Sequence, residues 1–271
     1  MPAPLLDHAL AARVEAAHGH ASAEYAETLA RRRPDTGATS ARLAGGLAGY
    51  AGAGSPLSQA AGVGMGGAVD LGEFDRLTAF FHSRGAPSKV EACPLADPSL
   101  WRWLGERGYR ACEFDNVMIR TLDDLDDRPM PAGVEARPST AAESGLVGSI
   151  VASGFFGDGE LPPGLGDIFE TMADQPSSTS FLGLVDGAPA AAGVVVVHDG
   201  VASLAGAATL PRYRNRGAQA ALLRTRLAFA ASLGCDLAVV CAAPGSGSMR
   251  NALRRGFAVA YTRVSMQLPI S

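Results

Sequence analysis

Between Val201 and Leu210 small and apolar residues alternate, and from Ala218 to Leu233 the positions Leu222, Leu223, Leu227 and Ala230 recur on one helical face ahead of Gly234. The first pattern predicts a half-buried strand, the second an amphipathic helix with a glycine stop. Leu237 to Ala243 is apolar throughout and reads as a buried strand. A turn at Pro244, Gly245 and Gly247 follows, with Ser246 or Ser248 as the cap of a helix from Met249 to Arg255. Gly256 ends that helix, and a last strand runs from Phe257 to about Leu268. Upstream, the pattern predicts a helix over Ala9 to Arg33 closed by Pro34, with Leu10, Val14, Ala17, Tyr25 and Leu29 as its apolar positions. It also predicts a helix over Glu73 to Arg84 before Gly85 and an outgoing strand from Phe114 to Leu122. His198 precedes Asp199-Gly200, a hairpin signal, and belongs to a turn.

The chain repeats itself. Shifted by a constant offset, Val90 to Tyr109 overlays Ala238 to Phe257: Cys93 falls on Cys241, Arg102 on Arg250, Arg107 on Arg255, and Gly108-Tyr109 on Gly256-Phe257. A helix ended by glycine precedes each copy. Duplication accounts for the ungapped register, and it divides the chain into residues 1–122, a linker at 123–132 and residues 133–271. The linker carries the acidic run Asp123-Asp124-Leu125-Asp126-Asp127 with Pro129 and Pro131.

The copies differ where chemistry is concentrated. Between the strand and the helix of the second half stands Arg212-Tyr213-Arg214-Asn215-Arg216-Gly217, three arginines and a glycine at a helix start. The first turn of a helix has N–H groups without intrahelical acceptors and a partial positive charge, so an anion placed there is bonded by the main chain. Glycine allows close approach and guanidiniums can close on the ligand from the sides. The competing reading is a solvated basic turn. In the first half the matching place is Gly62-Val63-Gly64-Met65-Gly66-Gly67-Ala68, with no arginine. Gly62-x-Gly64-x-x-Gly67 fits a dinucleotide fingerprint, but its preceding strand is short and partly polar and no acid stands about twenty residues on, so the signal is weak.

The order of strand, arginine loop, helix, strand, short helix, Arg-Gly-Phe turn and strand resembles the GNAT superfamily of acyl-CoA-dependent N-acyltransferases. The likeness runs from about Val134 to the C-terminus. The family's phosphate loop reads Arg/Gln-x-x-Gly-x-Gly/Ala; here it is Arg214-x-x-Gly217-x-Gln219, with glutamine at the last small position. The resemblance implies an α/β fold of two GNAT-like halves, each a central, mostly antiparallel sheet flanked by helices, the first half degenerate. It implies acetyl-CoA as donor and the amine of a small molecule as acceptor. It also implies a coenzyme site made of Ala208, Thr209, Leu210, Arg214, Asn215, Arg216, Gly217, Ala218, Gln219, Ala220 and Asn251.

In that family a main-chain N–H on the strand before the loop, beside a bulge, stabilises the developing oxyanion. The Leu210 N–H is the expected donor, Pro211 having none to offer. A base must accept the amine's proton. Glu160 is the first candidate, with Asp158, Asp167 and Glu170 beside it, each of which could also be a solvated carboxylate. Phe155 and Phe156 either wall an acceptor pocket or belong to the core. The tyrosine that many members place four residues before the final glycine is Ala252 here, which leaves Tyr261 or Ser248 as substitute proton donors. The missing tyrosine keeps a rival in view, a non-catalytic acyl-CoA sensor or scaffold.

Composition narrows the class. At 271 residues with 47% hydrophobic and 18% charged residues, the chain can bury sizeable cores. A net charge of −4 gives no nucleic-acid footprint. No apolar run reaches the ~18 residues a membrane span needs, and no charged, then apolar leader opens the chain, so a cytoplasmic location is expected. The four cysteines and five histidines show no metal-ligand spacing, and no metal is expected. The acceptor and the oligomeric state, a homodimer included, stay open at this level.

Overall fold

The computed structural model describes residues 6–125, 130–157 and 165–270; Asp158 and Glu160 lie outside the described residues. In chain order the elements of the first repeat are α1 (His8–Arg32), β1 (Thr39–Leu43), β2 (Gly46–Tyr50), β3 (Gln59–Ala61), α2 (Leu71–His82), β4 (Ser88–Ala92), α3 (Pro98–Glu106) and β5 (Arg110–Thr121). Then come β6 (Val134–Pro138), α4 (Ser144–Phe156), α5 (Leu165–Ala173), β7 (Ser178–Val185), β8 (Ala188–His198), β9 (Val201–Thr209), α6 (Ala218–Ser232), β10 (Leu237–Ala242), α7 (Gly247–Arg254) and β11 (Ala258–Leu268). From β1 to β5 and from β7 to β11 the succession is the same: three strands, helix, strand, helix, strand. The helix starts follow from their caps. Asp7, Asp70, Asp97 and Ser246 each accept a main-chain N–H of the first turn, at Leu10, Glu73, Ser99 and Met249.

The chain folds as two compact units, one made of Thr121–Ala238 and the other of the chain up to Arg120 together with Val239 onward. In the first unit β6, β7, β8 and β9 form an antiparallel ladder in that order. Side chains alternate across it. Leu182 and Leu184 point to one face, where Val147, Ile150 and Val151 of α4 pack with Ala192, Ala208 and Leu210. Phe181 points to the other face and meets Phe229 of α6 edge-on, with ring centroids 5.2 Å apart. Two hairpins turn on residues with positive φ, Asp186-Gly187 and Asp199-Gly200, so His198 does end a strand at a turn.

The second unit corrects one expectation of the sequence. Residues from Val239 on do not stay with 133–238; they join the first repeat. The strand order there is β1-β2-β3-β4-β11-β5-β10. Strand β11 is antiparallel to both of its neighbours, pairing Met266 with Val90 of β4 and Thr262 with Asn116 of β5. The last strand of each repeat therefore lies beside the other repeat's fourth strand, an exchange that no hydrophobic period records.

Beneath β11 lies a buried polar cluster. Glu15 of α1 and Arg263 of β11 are 0% and 2% exposed and pair at 2.8 Å. One Glu15 oxygen accepts from Arg263 Nε and Nη2 and, at 2.6 Å, from the Tyr261 hydroxyl. Burial works against charge on Arg263, but Glu15, together with Cys241 and Tyr261, offsets it and holds the guanidinium above its ordinary range.

His18, one turn beyond Glu15, is held well below its ordinary pKa by burial first and then by the charges of Arg263 and Lys89. A base whose folded pKa is depressed is protonated more readily in the unfolded chain, so stability is full above the unfolded value, about 6.5, and falls as pH drops through it. Denaturation midpoints measured from pH 8 to pH 5 should decline in the native protein, and His18→Gln should flatten that part of the profile. An unchanged decline in the variant would place its origin elsewhere. No helix among the described residues is long and apolar enough to cross a membrane.

Candidate active site

Strand β9 carries the defect on which the site is built. Ala208 pairs with Ala192 and Ala205 with Val194, so Gly206 and Ala207 together stand opposite Gly193. This is a β-bulge with glycine in its left-handed position, φ +53°. Its sequence signal is a glycine inside an otherwise regular strand, which alternation alone does not register. From α5, Met172 reaches towards the bulge; its Cε lies 3.8 Å from where a Gly206 Cβ would stand. On the same face α4 crosses β9 at Gly154, where a Cβ would overlap the Ala208 methyl, so this crossing admits glycine alone.

After β9 the chain turns through Pro211–Tyr213 and enters α6 at Gly217, whose φ of +91° makes it the cap residue. No side chain caps α6. Tyr213 and Arg214 donate their amides back to Leu210 and Pro211, and Ala220 and Ala221 donate to the Gly217 carbonyl. Between them the amides of Asn215, Arg216, Gly217, Ala218 and Gln219 have no acceptor among the described residues. Asn215 is itself left-handed, φ +62°. Successive N–H groups in alternating hands converge into an anion-binding concavity, here at the positive end of a fifteen-residue helix.

The three arginines divide their work. Arg212 lies over the Tyr213 ring at 5.1 Å. Arg216 pairs with Asp186 in the hairpin turn at 2.6 Å. Arg214 donates to the Gly154 carbonyl at 3.1 Å and has no carboxylate partner among the described residues, so it brings uncompensated charge to the concavity. Gln219 does not project into the loop. Its Oε1 accepts from the Thr209 hydroxyl at 3.0 Å, which ties the first turn of α6 to the end of β9 and leaves the backbone of the sixth motif position uncovered.

The contrast with the first repeat is chemical. There the corresponding helix α2 is capped by the Asp70 carboxylate, which accepts from Glu73 N, so the place an anion would take is filled by the protein's own acid. The Gly62–Gly67 loop runs into that closed end.

Two of the expected catalytic groups stand differently. The Leu210 N–H donates to the Ala190 carbonyl at 2.9 Å as a rung of the β8–β9 ladder and is not available to an oxyanion. The unpaired stretch of strand lies three to four residues upstream, at the bulge. Tyr261 is buried on β11 with its proton committed to Glu15, and burial, then the Glu15 charge, push its phenol upward. Asn251 is exposed on α7 and its carbonyl oxygen accepts from Arg254; like Tyr261 it belongs to the other compact unit. Asp167 and Glu170 lie on α5, within the unit that holds the bulge. Phe155 and Phe156 are not core: they are 59% and 53% exposed, and Phe155 stacks on Phe169 with ring planes 6° apart.

Comparison with known proteins gives one family match and a set of similar folds. Residues 151–257 match the model described as "Acetyltransferase (GNAT) family". No curated protein matches the chain in sequence. Among solved structures, a GCN5-related N-acetyltransferase from Kribbella flavida is 22% identical, with 94% of this chain and 96% of that one aligned at a TM-score of 0.68. A tandem GNAT protein from the clavulanic acid biosynthesis pathway is 14% identical over 72% of this chain and 68% of its own, TM-score 0.54. A GCN5-related N-acetyltransferase from Sphaerobacter thermophilus is 19% identical over 68% and 59%, TM-score 0.51. These likenesses describe the fold, and the family match falls on the segment that holds the bulge and the open helix end. What the comparisons show is a match of residues 151–257 to the acetyltransferase (GNAT) family model, and a fold shared with solved N-acetyltransferases.

Proposed function

We propose that the second repeat is an N-acyltransferase that takes an acetyl group from acetyl-CoA and passes it to the amine of a small molecule. The observation that carries this reading is the run of amides from Asn215 to Gln219 without acceptors at the uncapped start of α6. A diphosphate has the charge and the acceptor oxygens to satisfy them, with the Arg214 guanidinium beside it. Ala208, Thr209, Ala218 and Ala220 are small and let the coenzyme lie close to the main chain. The thioester oxygen is then met by a main-chain N–H of the Gly206–Ala207 bulge, in place of Leu210.

In the reaction the amine nitrogen forms a bond to the carbonyl carbon, the carbon–sulfur bond breaks, and its electron pair leaves on sulfur. The proton lost by the amine ends on the released thiol, relayed by a carboxylate such as Asp167, Glu170 or Glu160. The exposed rings of Phe155 and Phe156, with Phe155 stacked on the half-buried Phe169, give the acceptor an apolar surface.

A thiol-release assay with acetyl-CoA against a panel of small amines tests the reading. Acceptor-dependent release is expected. Coenzyme binding without release on any amine would favour a sensor or scaffold, a reading that the buried Ala252 at the usual tyrosine position supports. Arg214→Ala should weaken acetyl-CoA binding roughly tenfold, the loss of one charge-assisted contact, with an unchanged melting temperature. Unaltered affinity in calorimetry would remove Arg214 from the coenzyme site.

A further inference from the structure

The bulge that shapes the candidate acyl site has a buried cation wedged against it. In a regular ladder the carbonyls of Val194 and Ala205 would find partners across the strands. At the bulge both accept from a single nitrogen, Arg226 Nη1, at 3.1 and 3.3 Å. Arg226 projects from α6 and is 2% exposed. No carboxylate pairs with it among the described residues, and its Nε has no acceptor there. Burial lowers the guanidinium's pKa to about 10, and it remains cationic at neutral pH.

An unpaired charge in a protein interior is costly, and a hydrophobic side chain would fill the same volume more favourably. A role in stability therefore explains the residue poorly. Its position suggests another. The Ala205–Gly206 peptide is trans, as are all peptide bonds in the described chain, so a carbonyl turned towards Arg226 fixes the Gly206 N–H in the opposite direction, away from β8. A cation on the oxygen side polarises the peptide and makes that N–H a stronger donor.

We infer that Arg226 is a positioning residue that holds the bulge open and presents the Gly206 N–H, polarised, to the thioester oxygen of the acyl donor. The inference rests on the acyltransfer reading given above and deepens it, because it names the donor and the group that activates it. The guanidinium itself touches neither substrate.

The test uses the whole protein with acetyl-CoA labelled with carbon-13 at the thioester carbonyl. Calorimetry first establishes binding to the wild type, and infrared difference spectra then read the carbonyl stretch, which a strong hydrogen bond moves to lower wavenumber. Three variants follow. Arg226→Met removes the cation, and Arg226→Lys keeps it. Gly193→Ala displaces it while also crowding the bulge, because a Cβ there would stand 2.9 Å from Arg226 Nη1, 3.1 Å from its Cζ and 3.2 Å from the Ala207 Cβ. The expected result is a low-wavenumber band in the wild type, lost in Arg226→Met and Gly193→Ala and largely kept in Arg226→Lys. Dissociation constants should stay within about threefold and turnover should fall about a hundredfold, the scale of losing an oxyanion donor. Should Arg226→Met fail to fold, Arg226→Gln, which removes the charge and keeps a polar side chain, carries the same comparison against Arg226→Lys. A wild-type band preserved in the displaced or neutral variant overturns the inference while leaving the coenzyme reading intact. A wild type that binds no acetyl-CoA overturns both.

Discussion

Gly217→Asp is expected to raise the dissociation constant for acetyl-CoA by at least a hundredfold while the protein stays folded. Two effects act in the same direction. An aspartate at the cap position places a carboxylate against the free amides of the helix start, Gln219 among them, where it does for α6 what Asp70 does for α2. Its charge then repels the diphosphate that would otherwise occupy the same donors. The backbone adds strain, since φ is +91° and a Cβ would stand 3.2 Å from Pro131 Cγ. Losing two charge-assisted hydrogen bonds at roughly 1.5–3 kcal/mol each, set against about 1.4 kcal/mol per tenfold, yields at least two decades. Calorimetry on the variant, with circular dichroism to establish folding, checks the prediction. A variant that binds acetyl-CoA as the wild type does would show that the helix start is a capped surface turn.

Glu15→Ala should cost about 3–5 kcal/mol of stability, because Arg263 is then left charged and buried with no counter-ion. The same change strips the Tyr261 hydroxyl of its acceptor. Replacing both charges at once, Glu15→Met with Arg263→Met, should do far less harm, since an apolar pair of similar volume is often neutral. Urea denaturation of the two variants separates the cases. If the double variant is as unstable as the single one, the cluster is held by packing and the charge argument is wrong. The prediction also bears on Tyr261, whose hydroxyl serves this pair.

Much of the local structure is legible in the sequence because it follows from short-range rules. The helix from Ala218 to Ser232 begins and ends within a residue of the predicted span, Ser246 is the cap of the two serines the sequence offered, and Asp199-Gly200 makes the predicted hairpin. The arginine loop can be read too, since a glycine between guanidiniums at a helix start announces its chemistry. What stays hidden depends on pairing between distant segments. Nothing in the alternation of β11 tells it to lie between β4 and β5, because alternation marks which face is buried and not which strands lie at its two edges.

The occupied Leu210 amide is a matter of register, and a shift of one residue would have freed it. Arg226 is hidden for a related reason. It sits among Leu222, Leu227 and Ala230 on a helix rich in small and charged residues, and an arginine there reads as solvated until the bulge beneath it is seen. Gly206 is the available clue. A glycine interrupting a strand asks what approaches its backbone, and here the approach is from one side by Arg226.

On the proposed reading the amides of Asn215 to Gln219, and not the Asp70-capped helix start of the first repeat, receive the coenzyme's diphosphate. Backbone-amide NMR spectra of the nitrogen-15-labelled protein, recorded as CoA is added, address it residue by residue. The amide signals of Asn215 to Gln219 should move downfield and saturate together, while those of Gly62 to Ala68 stay where they are. Saturable shifts confined to the Gly62–Ala68 loop, or none at Asn215 to Gln219 at millimolar CoA, would contradict the account.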